Sequence, residues 1–196
     1  GTSGGIQPDV IPGSLAISSY ALGLDSTGIY YDQPTEDDTI KRIEKDSAEI
    51  LNNAIDNSSR FKGKIFPYAS KASTEVTNAL IHQAKISGLE FDTGITVSSP
   101  GFYGPSSRII DGLKNTLLDI KGNLSMLNIN GLKAYNMEME SSLLFHLCAQ
   151  MGYRAGTICT VISGPTESDS IIDYETAIGN TIKIGLKALV ELEDSK

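Results

Sequence analysis

Apolar residues recur three or four positions apart in four stretches of the chain, the spacing that one buried face of a helix requires. The predicted helices run over about residues 35–57, 73–87, 141–151 and 174–192. Acidic residues open the first helix, while Gly88 and Gly152 stand where the second and third should end. Strands are indicated where apolar and β-branched side chains are dense, at residues 15–18, 91–98 and 155–162.

Strands that alternate with helices predict an α/β domain built on a mostly parallel or mixed sheet. In such sheets, ligands bind beyond the carboxyl ends of the strands. Three segments qualify by that rule: the opening glycines at residues 1–5, the loop around Phe102, and residues 138–140. We therefore expect a small-molecule site to be assembled from these three segments.

The composition narrows the functional class. With 196 residues, 40% of them hydrophobic and 20% charged, the chain suits a single globular domain. Its net charge of −8 disfavours nucleic acid as a partner but allows a small anionic ligand, since local donors can hold an anion. No apolar run approaches the about 20 residues of a membrane helix. Cys148 and Cys159 lack metal-ligand spacing, so we expect reduced thiols in a cytoplasmic protein rather than a disulfide.

The chain opens on Gly1-Thr2-Ser3-Gly4-Gly5, with no methionine and no strand before it. Glycine-rich segments usually join two elements, so we expect the chain to begin inside a domain. Glycines allow a backbone to approach a ligand closely, and amides with hydroxyls can cradle an anion. A plain tight turn would have the same sequence, and both interpretations stand.

Two carboxylates, Glu138 and Glu140, flank Met139 at the edge of an apolar run. They could accept hydrogen bonds from a diol such as ribose, bind a metal, or act as an acid–base pair. A metal is disfavoured because no histidine or aspartate lies near in the sequence. Two ordinary exposed glutamates are the other interpretation.

Aromatic residues and donors share one Gly/Pro-rich loop. Phe102 and Tyr103 could stack on a planar ring, with Ser106 and Arg108 as donors beside it, or a buried aromatic could simply anchor the loop. Together with the anion cradle and the diol acceptor, this platform fits a nucleoside plus phosphate.

Four motifs, in the order in which they occur, resemble the uridine phosphorylases of the nucleoside phosphorylase family. Residues 1–8 resemble the family's glycine turn, and residues 98–103 resemble its base-binding loop. Residues 136–141 resemble its ribose motif, and residues 154–156 resemble the start of a core strand. The resemblance implies one domain over residues 1–196, a three-layer α/β/α fold with a central mixed sheet. It also implies a helical insertion at about residues 35–66 and the absence of a large N-terminal part of the family's domain.

The resemblance implies roles for ten residues. Thr2 would contact phosphate and ribose, and Glu140 would accept hydrogen bonds from the ribose hydroxyls, which makes these two the catalytic candidates. Phe102 would pack on the base, and Arg108 would reach its polar edge. The other substrate-binding candidates are Ser3, Gly4, Ser106, Glu138, Met139 and Ile162.

The implied reaction is phosphorolysis of uridine to uracil and ribose 1-phosphate, by a cytoplasmic dimer or hexamer with inorganic phosphate as co-substrate and neither cofactor nor metal. A purine nucleoside phosphorylase and a non-catalytic nucleoside-binding remnant are the alternatives. Two departures from the family leave base preference open: Ser106 stands where a glutamine is usual, and residues 162–165 lack the usual arginine. The aspartate of the purine enzymes is also missing, because Ser163 or Gly164 holds its position.

Overall fold

The computed structural model describes residues 1–32, 37–164 and 173–194. Seven strands and five α-helices lie in these ranges. In chain order they are β1 (Thr2–Gly5), β2 (Leu15–Gly23), α1 (Asp38–Asn53), β3 (Tyr68–Lys71), α2 (Thr74–Ser87), β4 (Phe91–Ser98), α3 (Ile120–Ser125), β5 (Asn128–Ile129), β6 (Leu132–Glu138), α4 (Ser141–Gln150), β7 (Ile158–Ser163) and α5 (Tyr174–Asp194).

The helices and strands predicted from spacing are all present. β4 has the predicted bounds, and Gly88 ends α2 in the left-handed conformation with a φ of 68°. The predicted start of the first helix, at Thr35, lies outside the described residues. The opening glycines form a strand rather than a turn, and β3, α3, β5 and β6 were not predicted. The first three of these elements are too short to show a periodicity, and in the sequence the segment of β6 stood out only as the lead-in to α4.

The strands form one mixed sheet that closes on itself. Its order is β1-β7-β2-β4-β6-β5, and β1 also pairs with β6, so that five strands make a ring. The pairs β2–β4, β4–β6 and β1–β7 are parallel, whereas β1–β6 and β2–β7 are antiparallel. The predicted mixed sheet is therefore confirmed, with β1 as the strand that closes it.

The long strand β2 has different neighbours along its length. Its first residues, 15–17, pair with β7, and its last residues, 20–23, pair with β3. On its other edge, the register with β4 shifts between Ser18 and Tyr20. Such an irregularity bends a strand locally, which lets one sheet serve two layers of helices.

Two hydrophobic clusters hold the helices against the sheet. Leu15 and Ile17 of β2 pack with apolar residues of α2 and α5, including Leu80 and Ile184. A larger cluster joins α1 and α3 to β2, β4 and β6 through the buried residues Leu22, Ile40, Ile43, Ile95, Val97, Ile120, Leu124 and Met137. The helices therefore pack against the sheet in two separate groups, which confirms the α/β class.

The start of α1 is fixed by its N-cap. One carboxylate oxygen of Asp37 accepts hydrogen bonds from the backbone N–H groups of Thr39 and Ile40, at 2.8 and 3.3 Å. Lys71 lies 3.5 Å from the other oxygen. Although partial burial raises the pKa of Asp37, the backbone hydrogen bonds and Lys71 together hold it below its ordinary value.

Replacement of this cap should destabilise the fold. We expect Asp37→Ala to lower the free energy of unfolding by about 1–2 kcal/mol, measured by urea denaturation at neutral pH. Glu49→Ala, at an exposed position of the same helix, should stay within about 0.5 kcal/mol of the parent. A depressed carboxyl pKa stabilises above the unfolded-state pKa, and this contribution disappears as pH falls through the folded-state value. The effect of Asp37→Ala should therefore shrink in acid, and a loss that is independent of pH would contradict this assignment.

Candidate active site

A cavity of about 320 Å³ opens where several strands end, a volume typical of small-molecule sites. All ten candidate residues from the sequence line it: Thr2, Ser3, Gly4, Phe102, Ser106, Arg108, Glu138, Met139, Glu140 and Ile162. Four further residues complete the lining: Gly101, Lys121, Met137 and Ser163. The three segments expected to converge do so, with Phe102 and Glu140 lining the same cavity.

The sheet topology explains this convergence. β4 and β6 are parallel and end side by side, with Ser98 opposite Glu138. β1 and β7 are also parallel, with Gly4 opposite Ser163. Because Gly4 pairs with Met137 as well, β1 joins the carboxyl ends of the two parallel pairs. The segments that follow β4 and β6 therefore open at one edge of the sheet, beside the ends of β1 and β7.

Glu138 is a buried carboxylate with all its hydrogen bonds inside the protein. Its oxygens accept from the Ser98 hydroxyl at 2.6 Å, the Ser141 hydroxyl at 2.9 Å, and the backbone N–H groups of Glu140 and Ser141, both at 3.0 Å. A carboxylate at this position accepts hydrogen bonds from N–H groups that the start of α4 leaves unpaired. The positive end of the helix dipole in turn stabilises its negative charge. Glu138 therefore holds the β6–α4 junction in place.

Glu140 has the opposite character. It is exposed, it lines the cavity, and its backbone N–H is held by Glu138. The chain thus anchors one carboxylate so that the other faces solvent beside the cavity. Of the alternatives that the sequence left open, this geometry favours an acceptor for a ligand's hydroxyl groups at Glu140.

Phe102 and Arg108 form a stacked pair. The guanidinium carbon of Arg108 lies 3.6 Å from the centroid of the Phe102 ring, a cation–π contact. Tyr103 meets the same ring edge-on, with centroids 5.5 Å apart. Phe102 is still 53% exposed, so a planar ligand can reach it.

Ser106 serves the loop itself. Its hydroxyl donates to the Gly101 carbonyl oxygen at 2.9 Å, and the Ser99 hydroxyl donates to the same oxygen, also at 2.9 Å. These two hydrogen bonds hold the Phe102 loop folded back toward the end of β4. In this structure the Ser106 proton is therefore committed to the backbone, and the side chain of Arg108 is the polar group that this loop offers to a ligand.

The other candidates line the cavity from the strands. Thr2 is half-buried in β1, Ile162 is half-buried in β7, and Met139 is 47% exposed at the turn after β6. The hydroxyl oxygen of Ser3 is buried and has no hydrogen-bond partner among the described residues. The position at Pro165, where the family's arginine is expected nearby, lies outside the described residues.

Hydroxyl groups link the site to the interior of the ring. The hydroxyl of Ser18 lies 2.5 Å from that of Thr96 and 2.7 Å from that of Thr157. Thr96 donates to the side-chain oxygen of Asn136 at 2.8 Å, and Thr157 lies 2.9 Å from the Ser141 hydroxyl. The chain of bonds therefore runs from inside the sheet to the groups that hold Glu138.

Lys121 is the cavity residue that the sequence analysis missed. It lies in the short helix α3, in a part of the chain without a regular apolar pattern. Ser163 and Gly101 were noticed as members of motifs but not as site residues. A sequence signal for Lys121 is absent because its position depends on how the loop after β4 folds.

Other kinds of site find little support. Neither histidine, both of which are described, lines the cavity. Among the described residues, no cluster of three or more His, Cys, Asp or Glu side chains could hold a metal ion. Cys148 and Cys159 are both free, and burial raises the pKa of Cys159 to about 11. No helix in the described ranges has the length and apolar character needed to cross a membrane.

Comparison with known proteins gives a consistent result. A family model described as the phosphorylase superfamily matches residues 1–191. Uridine phosphorylase of Haemophilus influenzae is 30% identical over 181 residues, which are 92% of this chain and 58% of that protein. The DeoD-type purine nucleoside phosphorylase of Yersinia enterocolitica is 23% identical over 195 residues, covering 90% of this chain and 73% of that protein.

A solved structure agrees with these relatives. The crystal structure of a Trypanosoma brucei nucleoside phosphorylase, described as showing uridine phosphorylase activity, superposes with a TM-score of 0.86 and 25% identity. The match covers 97% of this chain and 62% of that one. The chain thus spans less than two thirds of the length of the uridine phosphorylase and the solved structure that it matches.

The two glutamates should respond differently to truncation. We expect Glu138→Ala to lower the free energy of unfolding by at least about 2 kcal/mol, because it leaves buried donors without an acceptor. Glu140→Ala should change it by less than about 0.5 kcal/mol, since that carboxylate is exposed. Chemical denaturation of both variants would measure this, and equal losses would contradict the structural role of Glu138.

Proposed function

The chain belongs to the phosphorylase superfamily, and we propose that it serves the phosphorolysis of uridine to uracil and ribose 1-phosphate, with inorganic phosphate as co-substrate. The observation that carries this proposal is the convergence of Thr2, Phe102 and Glu140 from distant segments onto one cavity. Their chemistry matches the three parts of the reaction: an anion, a heterocycle and a diol.

The proposed mechanism needs no covalent bond to the protein. Cleavage of the glycosidic bond gives the sugar positive charge and the departing base negative charge, and a bound phosphate attacks the sugar. Glu140 would accept hydrogen bonds from the ribose hydroxyls, which fixes the sugar in the cavity. Phe102 would pack against the base, and Arg108 would stabilise the charge that develops on its polar edge. Thr2 would orient the phosphate.

Uridine is proposed ahead of a purine nucleoside because of two observations. The uridine phosphorylases among the relatives are 26–30% identical to this chain, and the purine enzymes 23–25%. Ser163, the last residue of β7, and Gly164 also stand where a purine enzyme would need an acid. A serine hydroxyl is too weak an acid to protonate a purine ring, and glycine has no side chain.

We also propose that the protein is cytoplasmic and acts as a homo-oligomer. Two free cysteines favour a reducing compartment. Ile29, Tyr30 and Leu144 expose large apolar side chains, and the short 3-10 turn at Gly28–Tyr30 contacts α4. Large apolar side chains exposed on two neighbouring elements suit contact with a second copy.

Product analysis tests the activity. The chain should form ribose 1-phosphate from uridine only when phosphate is present, and turn over inosine at least about tenfold more slowly. Preference for inosine would support the purine alternative instead. Binding of uridine by calorimetry, without any phosphate-dependent product, would identify a non-catalytic binding protein and refute the proposal.

A second measurement tests Glu140 directly. Glu140→Ala should weaken uridine binding by about tenfold to a hundredfold, because charge-assisted hydrogen bonds to the ribose are lost. Its affinity for free uracil should stay within about twofold, since uracil has no sugar. Glu49→Ala, another exposed glutamate, is the matched control and should bind both ligands normally. Equal losses for uridine and uracil would contradict a ribose-binding role.

A further inference from the structure

We propose that Lys121 contacts the substrates directly, and that its ammonium and the Ser163 hydroxyl form a binding subsite beside Gly4. The ligand of this subsite is an oxygen atom that carries negative charge. The identity of the substrates in this inference rests on the proposed function. The positions of Lys121 and Ser163 are independent of that function.

The position of Lys121 is set by a well-defined local structure. The side chain of Asp119 accepts a hydrogen bond from the Gly122 N–H at 3.0 Å, which caps the start of α3. The hydroxyl of Ser107 accepts from the Ile120 N–H at 2.8 Å, tying α3 to the loop that carries Phe102. Ile120 and Leu124 are buried in the larger core cluster. Lys121 therefore starts from an anchored backbone, and its side chain is among those that line the cavity.

The ammonium group of Lys121 lies beside Gly4. A Cβ atom built on Gly4 would stand 3.0 Å from Lys121 Nζ and 3.1 Å from Ser163 Oγ. Gly4 does not belong to the glycines with positive φ, so its conformation is open to other residues. Lys121 Nζ and Ser163 Oγ therefore both lie close beside Gly4, and all three residues line the cavity. One cation and one hydroxyl thus meet at the same part of the cavity wall.

The donors define the ligand. An ammonium is a compact positive charge with three hydrogen-bond donors, and a serine hydroxyl adds a fourth. Such a pair suits a phosphate oxygen or a carbonyl oxygen of a pyrimidine that gains negative charge as the glycosidic bond breaks. Arg108, the other cation in the lining, is stacked on Phe102, whereas Lys121 lies beside Gly4. The two cations thus serve different parts of the cavity.

Lys121→Met removes the charge and keeps an unbranched side chain. We expect this variant to weaken binding of either uracil or inorganic phosphate by at least about tenfold, while the other ligand changes by less than about twofold. Loss of uracil affinity assigns the subsite to the base, and loss of phosphate affinity assigns it to the co-substrate. Isothermal titration calorimetry with each ligand separately makes the distinction.

Two further variants complete the test. Lys114→Met removes an exposed lysine outside the cavity and should leave both affinities unchanged. Gly4→Ala keeps Lys121 but presses a methyl group against both donors, so it should weaken binding of the same ligand that Lys121→Met weakens. Unchanged affinity for both ligands in Lys121→Met would overturn the proposal, as would opposite ligand losses in the two cavity variants.

The result is separable from the proposed activity. If the unmutated chain binds uracil and phosphate but forms no ribose 1-phosphate, phosphorolysis is refuted while the Lys121 comparison still decides the subsite. If the unmutated chain binds neither ligand, the subsite is refuted as well.

Discussion

A buried carboxylate at the end of β6 is the constraint on which the site depends. Glu138 satisfies two serine hydroxyls and two backbone N–H groups, so its charge is compensated at the start of α4. An uncompensated carboxylate would be costly to bury there, and without it the donors around the junction would be unsatisfied. Because Ser98 belongs to β4 and Ser141 to α4, the same group fixes the relative position of two strands and a helix. The exposed Glu140 is held in place as a consequence.

Close packing around β1 explains the glycines of this opening strand. β1 lies between β6 and β7, and side chains at its two glycine positions would press against neighbouring residues. A Cβ on Gly5 would lie 2.7 Å from Val10 Cγ1, and one on Gly4 would meet Lys121 and Ser163. Glycines let this strand fit, and by fitting it closes the ring and brings the ends of the parallel pairs together. Close approach, rather than turn conformation, explains the composition of the segment.

Sequence reasoning succeeded where a feature is local. Helical spacing predicted α2, α4 and α5, and the rule that ligands bind beyond the carboxyl ends of strands predicted which segments would meet. It failed at β1, because four small residues, two of them glycines, show no alternation of side chains to recognise. It failed at Lys121, because a hydrogen bond from the neighbouring Ile120 N–H to Ser107 in another loop sets the position of α3. Without the family resemblance, nothing in the sequence distinguished Glu138 from Glu140. Their difference in burial arises only when Ser98 is brought beside them by strand pairing.

The distribution of charge in the cavity matches the demands of the proposed reaction. Phosphorolysis creates positive charge on the sugar and negative charge on the base, while the phosphate already carries negative charge. One free carboxylate and two cations line the cavity within the described residues, although the chain as a whole has a net charge of −8. Glu138 does not upset this balance, because protein donors already occupy both of its oxygens. An acidic protein can therefore bind an anion here, since short-range donors decide affinity at a partly enclosed site while distant surface charges are screened.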